Sequence, residues 1–215
     1  MPHLFRLVTN GNVGQAPSRL LIGLLACMLL LPVSAFAKEK GKEKERTKEK
    51  EKSGFTVTSL DIVPNTKISL KHVYKGFGCD GGNLSPALSW AGAPEGTKSF
   101  AITAYDPDAP TGSGWWHWVV YNIPADVTEL KTGAGSAESP QLPPGAVQGR
   151  TDFGTVGYGG PCPPVGHGKH RYIFTVHALK TDKLDVPADA TAALVGFMIN
   201  ANRLGKATLT GIYSR

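Results

Sequence analysis

Sequence signatures of catalysis are missing from this chain. The motifs HExxH, GxSxG and GxxxxGK[ST] mark zinc peptidases, serine hydrolases and phosphate-binding loops, and none of them occurs in its 215 residues. Serine and cysteine also lack the surroundings that would activate them as nucleophiles. The sequence therefore predicts a protein that is not an enzyme and that needs no cofactor or metal ion. A metal-dependent hydrolase is kept as an alternative.

Charged side chains are scarce at the start of the chain. Arg6 and Arg19 are the only Lys, Arg, Asp or Glu among residues 1–37. The apolar run of residues 20–37 ends in the small-residue pattern AFA. A basic start, a short apolar core and small residues before the cut are typical of a secretory signal peptide. We therefore expect residues 1–37 to be removed, leaving a periplasmic or secreted protein that begins at Lys38.

Two alternatives for this segment stay open. Its apolar run is 18 residues long, the lower limit for spanning a bilayer, and the Lys-rich block after it resists translocation, so an uncleaved membrane anchor is one alternative. A lipoprotein cut before Cys27 is the other. The chain stays apolar for ten residues after Cys27, which disfavours it.

The rest of the chain has almost no net charge, although the formal net charge of the whole is +6. Residues 38–52 (KEKGKEKERTKEKEK) hold eight basic and five acidic residues, and residues 53–215 hold 13 basic and 12 acidic. The excess is thus N-terminal, and no nucleic-acid partner is predicted. The alternating Lys/Glu run is too polar to fold and is predicted to be a disordered linker, either a spacer or a contact for anionic lipid.

Helical periodicity is scarce in residues 53–215, which we predict to form one domain. Short β-rich runs separated by Gly, Pro, Asn and Asp are found at residues 55–60, 98–105, 115–122, 170–179 and 206–213. Their short spacing leaves little room for crossover helices and favours an antiparallel sheet. Residues 189–204 alone predict a helix, with Asp189 as a candidate N-cap, Gly205 just past its end, and an apolar stripe at Ala193, Leu194, Phe197, Met198, Ala201 and Leu204.

Cysteine is also scarce, with three residues in the chain. Removal of the leader would leave Cys79 and Cys162 as a pair. An even number of thiols in an oxidising compartment favours a disulfide. Two separate buried thiols are the alternative, because the sequence does not give their separation.

Two polar segments, residues 104–122 and 154–179, each combine a strand with a Pro/Gly-rich turn. Residues two apart in a strand share a face. We therefore expect Trp115 and His117 to point the same way, and likewise His170 and Tyr172. The two segments are candidate walls of one polar pocket.

The motifs in these segments are those of a known family. They are DPDAP (106–110), WWHW (115–118), GYGGPCPP (157–164) and HRY (170–172), supported by GCDGGNLSPALSW (78–90) and TLTGIYSR (208–215). In this order they resemble the phosphatidylethanolamine-binding protein family, also called the Raf kinase inhibitor protein-like family, and most closely its bacterial branch. The resemblance covers roughly residues 55–215. It implies a mainly β fold with a large antiparallel sheet, a second smaller sheet and a few peripheral helices.

The resemblance also implies an anion-binding site, carried over onto Asp106, Asp108, Trp115, His117, Pro164, His170 and Tyr172. A carboxylate beside an imidazole favours its charged form, so the histidines are expected to donate as imidazolium to a phosphate. The aspartates would receive an ammonium, which makes phosphoethanolamine a fitting small zwitterionic ligand. Asp106 has the alternative role of capping a turn. His72, His167 and His177 are expected to be structural, and Arg171 to form a surface salt bridge.

The function that follows is that of an exported binding protein for a small anionic or phosphate-type ligand, with phospholipid head groups as candidates. The alternative is an inhibitor or interaction module that acts on a kinase, a protease or a host protein through the pocket rim. Animal members of the family carry a second histidine where this chain has Trp116, so the kinase role is carried over only weakly. A homodimer is implied by the resemblance to bacterial relatives.

Overall fold

The computed structural model describes residues 54–138 and 140–215. The predicted signal peptide (1–37) and linker (38–52) lie outside these residues. The strands are β1 (Thr56–Thr58), β2 (Lys75–Gly76), β3 (Cys79–Asp80), β4 (Leu88–Ala91), β5 (Ser99–Asp106), β6 (Trp115–Pro124), β7 (Glu129–Leu130), β8 (Val147–Gln148), β9 (His170–Leu179) and β10 (Arg203–Tyr213). A 3-10 helix (Leu70–His72) and the helix α1 (Ala192–Asn202) complete the described elements.

The large sheet has five antiparallel strands in the order β10-β9-β5-β6-β8. A three-stranded sheet, β1-β4-β7, and the short ribbon β2-β3 accompany it. This confirms the expected large antiparallel sheet with a smaller second sheet. The predicted strand at 170–179 has its observed bounds, whereas β10 begins three residues earlier than expected, at Arg203.

Both faces of the central strands β5 and β6 are buried, because these strands carry nearly continuous apolar runs. One face packs against the small sheet in a cluster that includes Ile102, Trp118 and Phe174. The other face packs against α1 through Val119 and Leu179. Because the apolar residues fill both faces, polar residues on the sheet are concentrated near its strand ends and in one strip beside α1.

The predicted helix exists, but its expected boundaries and apolar face were wrong. Thr191, rather than Asp189, is the N-cap and accepts a hydrogen bond from the Leu194 amide at 3.2 Å. Gly205 lies inside β10, since that strand follows the helix directly.

The buried positions of α1 are Ala192, Val195 and Ile199, spaced three and four residues apart. The predicted stripe is largely exposed, with Leu194 at 41% and Phe197 at 66%. Two apolar stripes compete on this helix, and the sheet contacts the one with the smaller side chains. In the described part of the chain, no helix has the length and hydropathy needed to span a membrane.

Candidate functional site

Three strand ends meet at one end of the large sheet. Asp106 at the end of β5 pairs with Trp115 at the start of β6, and Tyr105 pairs with Ile173 near the start of β9. Since neighbouring strands run antiparallel, the end of β5 lies beside the beginnings of β6 and β9. The two polar segments expected to form one pocket are therefore brought together.

A cavity of about 200 Å³ opens at these strand ends. Six of the seven predicted site residues line it, namely Asp106, Trp115, His117, Pro164, His170 and Tyr172. As expected, Trp115 shares a face with His117, and His170 shares one with Tyr172. The remaining lining residues are Phe77, Ala109, Pro110, Thr111, Phe153, Cys162 and Pro163.

His117 differs from its expected charge state. Its side chain is buried, and its Nδ1 lies 2.7 Å from the carbonyl oxygen of Gly159, so Nδ1 carries the proton and donates it. Burial lowers the pKa of His117 to about 4, although Asp106 nearby acts in the opposite direction. The expected imidazolium is thus a neutral imidazole at neutral pH, and its Nε2 is left as a hydrogen-bond acceptor.

Asp106 and His170 form a buried pair. His170 Nδ1 lies 2.7 Å from Asp106 Oδ2, and the two side chains are 1% and 3% exposed. The other carboxylate oxygen, Oδ1, accepts a hydrogen bond from the amide of Asp108 at 2.8 Å. Asp106 therefore caps the turn, which is the alternative role expected for it, and it also orients an imidazole of the pocket.

His167 extends this pair to the protein surface. Its Nδ1 lies 2.7 Å from His170 Nε2, so the chain Asp106–His170–His167 leads from the pocket to an exposed side chain. His167 has the hydrogen-bonded contact expected of a structural histidine, and its partner is a residue of the pocket. His167 stands between Gly166 and Gly168, both with positive φ, and periodicity gives no signal for its contact with His170.

Two hydrogen-bond donors of the pocket have no partner among the described residues. Trp115 Nε1 and the Tyr172 hydroxyl are both buried and unpaired. Burial raises the pKa of Tyr172, and the charge of Asp106 raises it further, so the phenol keeps its proton. Unsatisfied buried donors cost free energy, which a ligand that accepts their hydrogen bonds would recover.

Asp108, the seventh predicted site residue, is not among the residues that line the cavity. Its carboxylate accepts hydrogen bonds from the Arg171 side chain, at 2.8 Å from Nε and 2.6 Å from Nη2, and from the Arg171 amide at 2.9 Å. The Arg171 side chain lowers the pKa of Asp108 to about 2. Arg171 alternates away from His170 in β9 and draws Asp108 to the outer side, which confirms the predicted surface salt bridge.

The alternative of a metal-dependent hydrolase would use His117, His170, Asp106 and Asp108 as metal ligands. Asp108 does not line the cavity with the other three. Across residues 54–138 and 140–215, no group of three or more His, Cys, Asp or Glu side chains is arranged to hold a metal ion.

An aromatic wall of the pocket was not predicted. The Phe153 ring lies 5.4 Å from Trp115, 5.3 Å from His117 and 5.8 Å from Phe77, centroid to centroid. A Cβ atom at Gly159 would overlap the Phe153 ring, so glycine is needed there. Phe77 is 67% exposed at the cavity. Both phenylalanines lie in loops, where no periodicity indicates their direction.

The predicted disulfide is present between Cys79 and Cys162, with their Cα atoms 6.0 Å apart. Arg215 joins the same two segments, because it donates to the carbonyl oxygens of Pro163, Gly78 and Phe77. Two independent links therefore fix the loop that carries Phe77 against the proline-rich wall of the pocket.

Two of the remaining histidines have the expected structural contacts. His72 is buried and its Nδ1 lies 2.7 Å from the carbonyl oxygen of Leu84. His177 lies on the opposite face of the sheet, with its Nε2 3.1 Å from Thr103 Oγ1. Neither lines the cavity at the strand ends.

Comparison with known proteins identifies the chain. A family model described as phosphatidylethanolamine-binding protein matches residues 58–214. The UPF0098 protein YbcL of Escherichia coli is 56% identical over 161 residues, covering 75% of this chain and 88% of that protein. The UPF0098 protein YbhB of E. coli is 51% identical over 156 residues, covering 73% and 98%.

The fold comparison agrees with the sequence comparison. The crystal structure of E. coli YbcL, described as a member of the mammalian PEBP family, matches with a TM-score of 0.73 and covers 75% of this chain and 98% of that one. Together with the family model, these relatives span the residues that carry the pocket and the disulfide. The chain belongs to the phosphatidylethanolamine-binding protein family, bacterial relatives of which are similar to it over the whole folded domain.

Proposed function

We propose that this protein binds a small phosphate-type anion or zwitterion in the cavity at the strand ends, without turning it over. The observation that carries the proposal is the pair of buried, unpartnered donors, Trp115 Nε1 and the Tyr172 hydroxyl, beside the Asp106–His170 pair. A phosphate oxygen would accept hydrogen bonds from both donors.

The remaining polar groups of the pocket fit the other end of a zwitterion. The neutral His117 has a free Nε2 acceptor, and Asp106 is the one carboxylate among the residues that line the cavity. An ammonium group would donate to these two acceptors. Phosphoethanolamine, the head group of a phospholipid, combines both ends and is the probe that we select.

Calorimetric titration with phosphoethanolamine tests the proposal. Tyr172→Phe removes one hydroxyl and leaves the ring, so it should weaken binding by about tenfold, the effect of losing one hydrogen bond to a charged group. Tyr121→Phe is the matched control, because Tyr121 is also buried but packs in the cluster on the other face of the sheet. It should bind like the wild type.

The opposite results would contradict the site. Undetectable binding by the wild type rejects phosphoethanolamine as a ligand, and equal affinity in Tyr172→Phe and wild type places binding elsewhere. His167→Ala separates the contribution of the surface histidine, since it removes the partner of His170 Nε2 while the Asp106–His170 pair stays intact. A change in affinity in this variant would support the idea that the hydrogen-bonded chain Asp106–His170–His167 acts on the ligand.

Donation by imidazolium groups would make affinity fall as pH rises through the histidine range near 6 to 7. His117, with its pKa lowered to about 4, is neutral at both pH 5.5 and pH 8 and contributes no difference between them. Any dependence of affinity on pH in this range would have to come from other groups, including the ligand's own phosphate.

An interaction module is the second candidate function. Phe77 is 67% exposed and Val165, next to the lining residue Pro164, is 78% exposed. Exposed apolar side chains beside a pocket are typical of contact surfaces. Val165→Ser changes a residue that does not line the cavity, so it would abolish capture of a protein target while leaving phosphoethanolamine affinity unchanged, which distinguishes this function from ligand binding.

We further propose that the protein is exported to the periplasm or secreted and that it forms a homodimer. The leader-like residues 1–37, and the pairing of Cys79 with Cys162, support an oxidising compartment. Membrane contact through residues 38–52 remains part of this proposal. Sedimentation at micromolar concentration should give the mass of a dimer, and a single monomeric species would contradict it.

A further inference from the structure

A second cavity, of about 260 Å³, lies between α1 and the face of the large sheet opposite the first pocket. Residues of β9 alternate between the two. His170 and Tyr172 face the first pocket, whereas Ile173, Thr175 and His177 line the second. The second cavity is therefore separate from the site described above, and its role does not depend on the proposed function.

The floor of this cavity is polar, and its inner part is buried. Thr175 in β9 pairs with Thr103 in β5 on one side and with Thr208 in β10 on the other, so three threonine side chains stand abreast on one face. Thr103 is 5% exposed and Thr175 7%, whereas Thr208 is exposed. Elsewhere on this face the sheet presents apolar residues such as Ala101, Val119 and Leu179 to the helix.

His177, two residues after Thr175 in β9, extends the polar floor along the strand. It is 7% exposed and stands opposite Lys206 of β10. Its Nε2 lies 3.1 Å from Thr103 Oγ1, but its Nδ1 is buried without a hydrogen-bond partner. A buried polar atom without a partner is costly, and here it belongs to a side chain that lines an open cavity.

The mouth of the cavity is cationic. Arg203 and Lys206 line it, and neither forms an ion pair with a carboxylate of the described residues. Arg203 instead donates to Asn200 Oδ1 of the helix at 2.6 Å. No Asp or Glu is among the described residues that line the cavity. Burial lowers the pKa of His177 to about 3, and the nearby charges of Arg203 and Lys206 act in the same direction.

We propose that this cavity is a second binding site, for a small oxyanion carried by a carboxylate or a phosphate group. Arg203 and Lys206 would hold the charge at the mouth, and the threonine hydroxyls and His177 would supply hydrogen bonds from the floor. The volume is below the about 300 Å³ at which pockets for drug-sized ligands begin. The occupant is therefore a compact anion rather than a lipid.

Titration of the isotope-labelled protein with inorganic phosphate and with succinate, followed by NMR, tests the site and distinguishes the two oxyanions. Saturable shifts are expected at Thr175, His177 and Lys206. Binding should raise the pKa of His177, because an anion stabilises its charged form. The double variant R203Q/K206Q should weaken binding by about tenfold or more, since it removes the charge-assisted hydrogen bonds.

Two control variants make the result specific. K131Q/K180Q removes two exposed lysines that do not line this cavity and should bind like the wild type. Tyr172→Phe alters the first pocket and should leave the shifts at His177 unchanged. The proposal is overturned if neither anion gives saturable shifts, if both double variants weaken binding equally, or if Tyr172→Phe abolishes the shifts.

Discussion

Buried neutral histidines are the residues whose chemistry most affects this domain. His117 and His177 lie on opposite faces of the large sheet, and burial lowers their pKa values from 6.5 to about 4 and about 3. The unfolded chain would hold a proton on each of them at a pH where the folded protein does not. Folding is therefore linked to pH through these two side chains.

The sign of this linkage predicts acid destabilisation. Because both folded pKa values are depressed, their contribution to stability is fully present above pH 6.5 and is lost as pH falls towards 4. Between pH 7.5 and 5, the free energy of unfolding should decrease by about 2 kcal/mol for each histidine, at about 1.36 kcal/mol per pKa unit. Urea unfolding at the two pH values measures this decrease.

A variant separates these histidines from other titrating groups. His177→Gln should show about half of the wild-type decrease, since it keeps a polar side chain beside Thr103 but does not titrate. Asp108, with its pKa lowered to about 2, titrates below this range. A free energy of unfolding that is the same at both pH values would show that these imidazoles are accessible to protons in the folded state.

At this scale the sequence predicts which residues meet, but not their charge states. Alternation along β6 and β9 places His117, His170 and Tyr172 in one pocket, as expected. Asp108 escapes the prediction because its partner, Arg171, faces the outer side of β9. The neutral form of His117 depends on how deeply its neighbours bury it, and no local pattern contains that information.

Among the elements, the loop that carries Phe77 belongs to a very short ribbon at the pocket. It is bounded by the two-residue strands β2 and β3, and Phe77 itself has a positive φ of 51°. So short a ribbon has little stability of its own. The disulfide from Cys79 and the hydrogen bonds from Arg215 connect it to the wall formed by Pro163 and Pro164, which keeps the cavity in one shape.

Removal of the disulfide should weaken the fold. Cys79 and Cys162 are 83 residues apart in sequence, and closing a loop of this length stabilises by roughly 4 to 5 kcal/mol on the chain-entropy estimate. The double variant C79S/C162S should lose about this much in denaturant unfolding, and wild-type protein in reductant should match it. Alkylation of both cysteines in unreduced, denatured wild type would refute the bond.

The sequence predicts the bounds of the long strands, but not the short strands. Strands β5, β6, β9 and β10 carry long β-rich runs, and the sequence locates each of them within three residues. The short strands β2, β3, β7 and β8 have two residues each and exist only through their pairing. The helix was located, but its buried face depended on which of two apolar stripes fits the sheet, and that choice is tertiary.

For the molecule as a whole, the two cavities lie on opposite faces of the large sheet. The large sheet packs against the small sheet on one face and against α1 on the other. The first cavity opens where three strand ends meet, and the second opens beside α1, above the row of threonines. The nearly balanced charge of residues 53–215 leaves the local charges of these cavities to determine what they bind.

Export directed by the N-terminal residues would place this domain in a compartment where its disulfide can form. The small-residue pattern AFA ends at residue 37, and the charged linker begins at Lys38. A signal peptidase acting after this pattern would release a protein that starts at Lys38 in an oxidising compartment. Intact-mass measurement of protein from an exporting cell should show the loss of residues 1–37. A full-length mass would indicate an uncleaved anchor, and a lipid-bearing mass with Cys27 at the N-terminus would indicate a lipoprotein.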